Sequence, residues 1–296
     1  MAQYLVQVTL LLVIVLSNVT SGSNAVAIGR DAMGGVYTGG DAVAIGRSTL
    51  ASLTSGSNNV AVGTQALTSN TTASSNTAVG YQAAYSNTTG SQISAFGYLA
   101  LNEATTPNNN AAFGTQAMRR LTTGSENTAI GTEALRQSTT GSNNTAVGSA
   151  SLILNTTGSN NVAHGYHALF NNTTASNNTA VGYQAGYTGT TAANITLLGY
   201  RAGYTNTASG VTAVGNDALY SNTTGSGIVA VGKGALLSNT TGSDNVSVGQ
   251  NSLDANTTGG NNTAVGHDAL TTNTTASNNT AVGYKTLYSS TTGVHN

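Results

Sequence analysis

Residues 76–92 read N-T-A-V-G-Y-Q-A-A-Y-S-N-T-T-G-S-Q. Aligned on Gly80, this stretch recurs along nearly the whole chain. The same glycine stands at Gly29, Gly46, Gly63, Gly97, Gly114, Gly131, Gly148, Gly165, Gly182 and Gly199, then at Gly215, Gly232, Gly249, Gly266 and Gly283. Every step is seventeen residues except Gly199 to Gly215, which is sixteen. A fixed period of this length is the signature of stacked supersecondary units, each burying its apolar face against its neighbours.

Each column of the repeat has a physical reading. The residue before the glycine is apolar almost throughout, as at Ile28, Val62, Phe96 and Val214, and the one before that is nearly always Ala. Val or Thr comes three before. That is a short β-branched strand with a two-residue alternation. The glycine admits a bend, and a second short segment follows with Ala three and Leu or Met four residues on, as at Ala66–Leu67 and Ala117–Met118. N-T-T-G closes the unit as a turn, because its residues tolerate left-handed φ or bond their own backbone. Dense β-branching and one or two glycines per unit disfavour helix. The expected fold is therefore all-β: a parallel β-solenoid, or β-roll, of about sixteen 17-residue coils. Each coil is expected to hold two short strands and two turns. At roughly 4.8 Å per strand the stack would be on the order of 75 Å long.

Composition fits the same picture. Charged residues are 6% of the 296-residue chain, the net charge is −1, and there is one Pro and no Cys. Absent cysteine excludes disulfides and thiolate metal sites. Eight scattered Lys and Arg do not make the basic stripe that nucleic acid requires.

The motifs N-A-V-A-I-G (Asn24 to Gly29), N-N-V-A-V-G (Asn58 to Gly63) and N-T-A-V-G-Y-Q-A (Asn76 to Ala83) resemble the head repeats of trimeric autotransporter adhesins, and related repeats in phage tail fibres. The resemblance covers roughly residues 24–293. It implies a left-handed parallel β-roll, usually trimeric, in an elongated surface-exposed adhesive body. The chain departs from those adhesins in showing no heptad stalk and no alternating barrel strands. That leaves two expectations: a processed fragment, or a compact subunit that works by polymerising.

Domain division follows from the repeat: residues 1–23 as an apolar N-terminal strand or cap, and 24–296 as the solenoid. Residues 4–16, Y-L-V-Q-V-T-L-L-L-V-I-V-L, form the strongly apolar stretch. Thirteen residues are too few for a membrane helix, which needs about 20, and no basic residue precedes them as in a secretory signal. Leu5, Val6, Val8, Leu10, Leu12, Ile14 and Leu16 are therefore candidate assembly residues, covering the first coil or adding a strand to a neighbour. The last coil, ending at Asn296, has no evident cap, and head-to-tail stacking through the solenoid ends is the expected mode of assembly.

Eleven of thirteen tyrosines fall in two columns, one and five residues after the glycine. Tyr81, Tyr85, Tyr183, Tyr187, Tyr200, Tyr204, Tyr284 and Tyr288 form a candidate surface aromatic stripe, read either as a grip for glycan or as stacking between coils. Eight residues after the glycine a Thr stands in fifteen of sixteen units, either an ice-binding array or a ladder of hydroxyls bonded to backbone. Asparagines in N-x-T, such as Asn70, Asn87 and Asn155, are either glycan acceptors or turn residues. His164 and His167 could meet around one bend, and no carboxylate stands near them in the repeat register. Gly232-Lys233-Gly234 lacks the full phosphate-loop pattern.

The functional expectation is a non-enzymatic structural or adhesive fibre subunit, extracellular or on a cell surface, with no cofactor and no metal. Its partners are copies of itself and a host glycan or protein. Two alternatives stay open: a phage tail-fibre shaft or receptor-binding trimer on the virion, and an ice-binding solenoid.

Overall fold

The computed structural model describes residues 23–296, so the assembly residues expected between Leu5 and Leu16, and nearly all of the N-terminal segment expected as a strand or cap, lie outside the described residues. Sixteen strands form one parallel sheet in sequence order. β1 (Ser23–Ile28) and β2 (Gly40–Ile45) have six residues each and β3 (Asn59–Val62) has four. β4 (Thr77–Val79) through β16 (Thr280–Val282) have three each. Register follows the repeat: Ala78 lies beside Ala61 on one side and Ala95 on the other. The all-β parallel solenoid expected from the period is the fold observed.

Alternation within the strand decides what is inside. In β4 the central Ala78 is fully buried while Thr77 and Val79 are half-buried and turned outward. Ala fills this inner position in every strand but two, which carry Leu197 and Ser247. Gly80 then turns the chain with φ 134°, where a Cβ would lie 2.5 Å from the carbonyl oxygen of Gly97. Adjacent coils approach backbone to backbone there, and no side chain fits between them.

The expected second strand is not formed. Among the described residues each coil contributes one strand, and the segment after the glycine is a series of turns. The reason lies in the adjacent Ala–Leu pair. Ala66 and Leu67 are both fully buried, whereas a pleated strand would send consecutive side chains to opposite faces. Left-handed φ at Gln65 (61°) and Leu67 (48°) turns both inward. The left-handed region costs an L-residue roughly 1–2 kcal/mol. Bonds between coils offset it: Gln65 N donates to Arg47 O at 2.8 Å, and Leu67 N donates to Ala83 O at 3.0 Å. The segment therefore keeps a coil-to-coil ladder without being extended.

The interior is apolar on one side and amide on the other. Leu50, Leu67, Leu101, Met118 and Leu135 fill one column beside the alanines. Two asparagine ladders fill the rest. Asn76 Nδ2 donates to Gly90 O at 2.9 Å, and its Oδ1 accepts from Ile93 N at 3.0 Å. Asn256 Nδ2 donates to Gly259 O and to Asn239 Oδ1, at 2.9 and 2.8 Å. Burying an amide without partners costs a few kcal/mol, so these residues are tolerated inside because the next coil supplies the partner. N-T-T-G is thus a turn whose asparagine points into the core.

The one sixteen-residue coil, from Gly199 to Gly215, leaves strand pairing intact: β11 (Thr196–Leu198) pairs with β12 (Thr212–Val214) in register. The missing residue comes from the turn. Asn206 Nδ2 there reaches a carbonyl two residues on, at Ala208, where Asn222 reaches three on, to Gly225.

Candidate functional site

Three surfaces run the length of the stack. The first is the outer face of the sheet. Ile28, Ile45, Phe113, Ile130 and Val181, each just before its glycine, stand in line, each 36–44% exposed. Coils above and below cover their flanks and leave their tips bare. Phe96 and Phe113 stack at 4.9 Å between ring centres within this row. His164 occupies the same row and is exposed.

The second surface carries the tyrosines. Tyr81, Tyr183, Tyr200, Tyr284 and Tyr288 are exposed, while Tyr85, Tyr187 and Tyr204 are half-buried. Within a column they stack coil on coil: Tyr183–Tyr200 at 5.3 Å, Tyr187–Tyr204 at 5.2 Å and Tyr204–Tyr220 at 5.1 Å, with planes within 9° of parallel. The rings therefore cover one another's faces, and mid-column they show edges and hydroxyls to solvent. Burial pushes the Tyr204 phenol up, and the neighbouring Tyr220 and Tyr187 add to it.

His167 closes the lower end of this aromatic run, stacked on Tyr166 at 3.7 Å and flanked by Phe170 and Tyr187. It is placed among aromatic rings rather than paired with His164. Burial holds its imidazole below the usual value, and its Nδ1 is buried without a hydrogen-bond partner. At the upper end Arg201 lies over the rings of Tyr200 and Tyr220, 4.8 and 4.9 Å from their centres. Its Nε donates to Asp217 Oδ1 at 2.9 Å. An open groove of about 390 Å³ begins there, lined by Arg201, Asp217, Tyr220, Ser221, Leu237 and Ser238. Arg201 and Asp217 stand two residues past the repeat glycine on successive coils, so their pairing was legible in the repeat register, though it matches no catalytic pattern.

The third surface is the threonine turn. Thr71 Oγ1 donates to Thr88 O at 3.2 Å and Thr122 Oγ1 to Thr139 O at 2.9 Å. The first threonine of each pair thus spends its hydroxyl proton on the backbone, and the second, as at Thr72 and Thr123, is the exposed one. The N-x-T residues Asn70, Asn87, Asn155, Asn222, Asn239, Asn256 and Asn273 are fully buried.

His267 Nδ1 lies 3.1 Å from Asp268 Oδ2. Asp268 has φ 56°, and this left-handed turn brings two sequential side chains together where an extended chain would part them. Among the described residues no three His, Asp or Glu side chains gather as a metal-binding set. Gly232-Lys233-Gly234 offers no anion cradle: Gly232 N is bonded to Val214 O and Gly234 N to Asn216 O. No family model matches the chain, and no curated protein matches it. The fold and its surfaces define a parallel β-solenoid repeat protein.

Proposed function

We infer that the chain is a non-enzymatic structural and adhesive element of an extracellular fibre, and that copies of it associate side by side. The observation that carries this reading is the apolar row on the outer sheet face, from Ile28 to Val282. Fifteen partly exposed apolar tips in line, with His164 as the sixteenth residue of the row, amount to apolar surface on the order of several hundred Å², the size at which a patch marks an interaction surface. A second copy laid along that face would bury both rows together. Supporting it, each coil carries little apolar area of its own, and the rod gains core by addition of coils and chains. Stacking through the solenoid ends is a second mode consistent with the fold. Every coil presents the next with the same ladder of donors and acceptors, illustrated by the identical register of Ala264 on Ala281 and Ala129 on Ala146. A fibre shaft on a virion would use the same two contacts. The reading treats the Arg201, His167 and His267 clusters as recognition or packing elements, and no reaction is assigned to them.

Electron microscopy and light scattering of the purified chain test the proposal. Substituting Ile45, Ile130 and Val181 by Lys should convert multi-chain rods to single chains without loss of β-structure. Wild-type protein that is monomeric at every concentration refutes side-by-side association. Rods whose length grows in whole multiples of one solenoid identify the end-to-end mode.

A further inference from the structure

The open groove above Tyr220 has a cause in the sequence. In the column two residues past the repeat glycine, long side chains lie against the rings five past it, as Arg201 lies over Tyr220, and His167 against Phe170 and Tyr187. At the coil above Arg201 this residue is Asp217, which is short and drawn toward Arg201 by their 2.9 Å bond. Nothing therefore covers the gap between Tyr220 and Leu237, and the groove of about 390 Å³ opens there.

Its walls combine three features. Tyr220 has its lower side covered by Tyr204 and by the Arg201 guanidinium, and with Leu237 it forms an apolar wall. Arg201 and Asp217 neutralise each other, so the lining carries one cation and one anion. Through its Nε alone Arg201 engages Asp217, leaving its terminal amino groups as donors. The Ser221 and Ser238 backbone amides serve the coil ladder, bonded to Leu237 O and Asp254 O, and both serines line the groove. Free anions would meet the Asp217 carboxylate and free cations the Arg201 guanidinium. A ligand with one apolar face and several vicinal hydroxyls meets all three features at once: C–H groups against Tyr220 and Leu237, hydroxyls on the planar carboxylate, the guanidinium and the two serines. The volume is within the range of small-ligand sites.

We propose that this groove is a binding site for a neutral pyranose unit of a glycan. It rests on the adhesive part of the function proposed above and names its ligand class.

The test is a ligand-observed NMR titration of the full chain with the methyl pyranosides of glucose, galactose, mannose and N-acetylglucosamine. Saturable binding of at least one, with Kd on the order of 1 mM, is expected. Asp217→Gln places a longer, uncharged side chain at the gap. Gln65 and Gln82 occupy the same column with φ of 61° and 52°, close to the 54° of Asp217. This variant should bind at least about tenfold more weakly with an unchanged unfolding midpoint. The Ser221→Ala, Ser238→Ala pair, which leaves the backbone ladder alone, should also weaken binding and guards against a folding defect in the first variant. Absence of saturable binding for all four glycosides overturns the proposal, as does equal binding by Asp217→Gln, or glucose 6-phosphate binding more tightly than the methyl glucoside. Rods that still assemble in the face of such a result would leave the fibre reading standing and remove the glycan site alone.

Discussion

Leu197 occupies the space that Gly203 leaves empty. A Cβ on Gly203 would lie 2.7 Å from Leu197 Cδ2, and one on Gly186, a coil below, 2.9 Å from Leu197 Cδ1. In most other coils the strand position of Leu197 holds Ala, and the positions of Gly186 and Gly203 hold Leu, as at Leu169 and Leu219. Large and small have changed places across the core while its filling is kept.

That exchange predicts a non-additive mutant series. Leu197→Ala alone should destabilise by about 2–4 kcal/mol through the cavity it opens. Gly203→Leu alone should destabilise by about 1–3 kcal/mol through overpacking. The triple variant Gly186→Leu, Gly203→Leu, Leu197→Ala restores the common coil and should recover most of the loss, since Leu169 and Leu219 adopt the required φ of 50° and 54°. Urea unfolding of the four proteins measures the coupling. Simple additivity would show that the exchange has no energetic content.

Asn256 joins three coils. Its amide donates to Gly259 O and Asn239 Oδ1 and accepts from Asn273 Nδ2 at 3.0 Å. Asn256→Ala leaves those groups buried without it, at a cost of about 2–4 kcal/mol, and Asn256→Leu should be no better, because volume was not what held the site. For the same reason Asn155 and its N-x-T counterparts should carry no glycan in the folded protein, with their Nδ2 atoms turned inward. Peptide mapping of native material checks this, and occupancy at Asn155 would contradict the packing.

His167 should make stability sensitive to acid. Its folded pKa lies below the ordinary 6.5 because burial among rings disfavours the charged form. The unfolded chain therefore takes up the proton first. Stability is full above about 6.5 and is lost as pH falls from there through the folded value. His167→Phe should flatten that part of the curve, read as the unfolding midpoint between pH 7.5 and 5. An unaltered slope would mean that the imidazole is hydrated.

Asp254 predicts the opposite sign. Its carboxyl is held above the usual carboxylate value, first by burial and then by the charge of Asp268. The folded state binds this proton more tightly, so its contribution is present below about 3.8 and lost as pH rises through the folded value. Asp254→Asn should raise the unfolding midpoint at pH 7 and lose that advantage at pH 3. Equal midpoints at pH 7 would refute the assignment.

The repeat made much of the fold legible. A glycine every seventeen residues with Ala two before it was enough to place parallel strands in register, since in-register stacking is the arrangement that gives every coil the same partner. The Ala–Leu pair was legible as core and misjudged as strand. Its two inward side chains require left-handed φ, and Gln65 and Leu67 are not residue types that announce it. The asparagines of N-T-T-G read as turn formers, because side-chain direction inside a turn depends on the coil above. The tyrosine columns were visible as columns. Their stacking, and the groove that opens above Tyr220, depended on which neighbours lie over which ring.

Period, strand position and chain register were therefore properties of the sequence alone, because each follows from local alternation repeated at a constant interval. The tertiary structure decided the rest. Whether an asparagine is core or surface, whether a tyrosine shows its face or its edge, and how Leu197 answers Gly203 are set by contacts between residues about one coil apart, and those contacts exist only once one coil lies on the next.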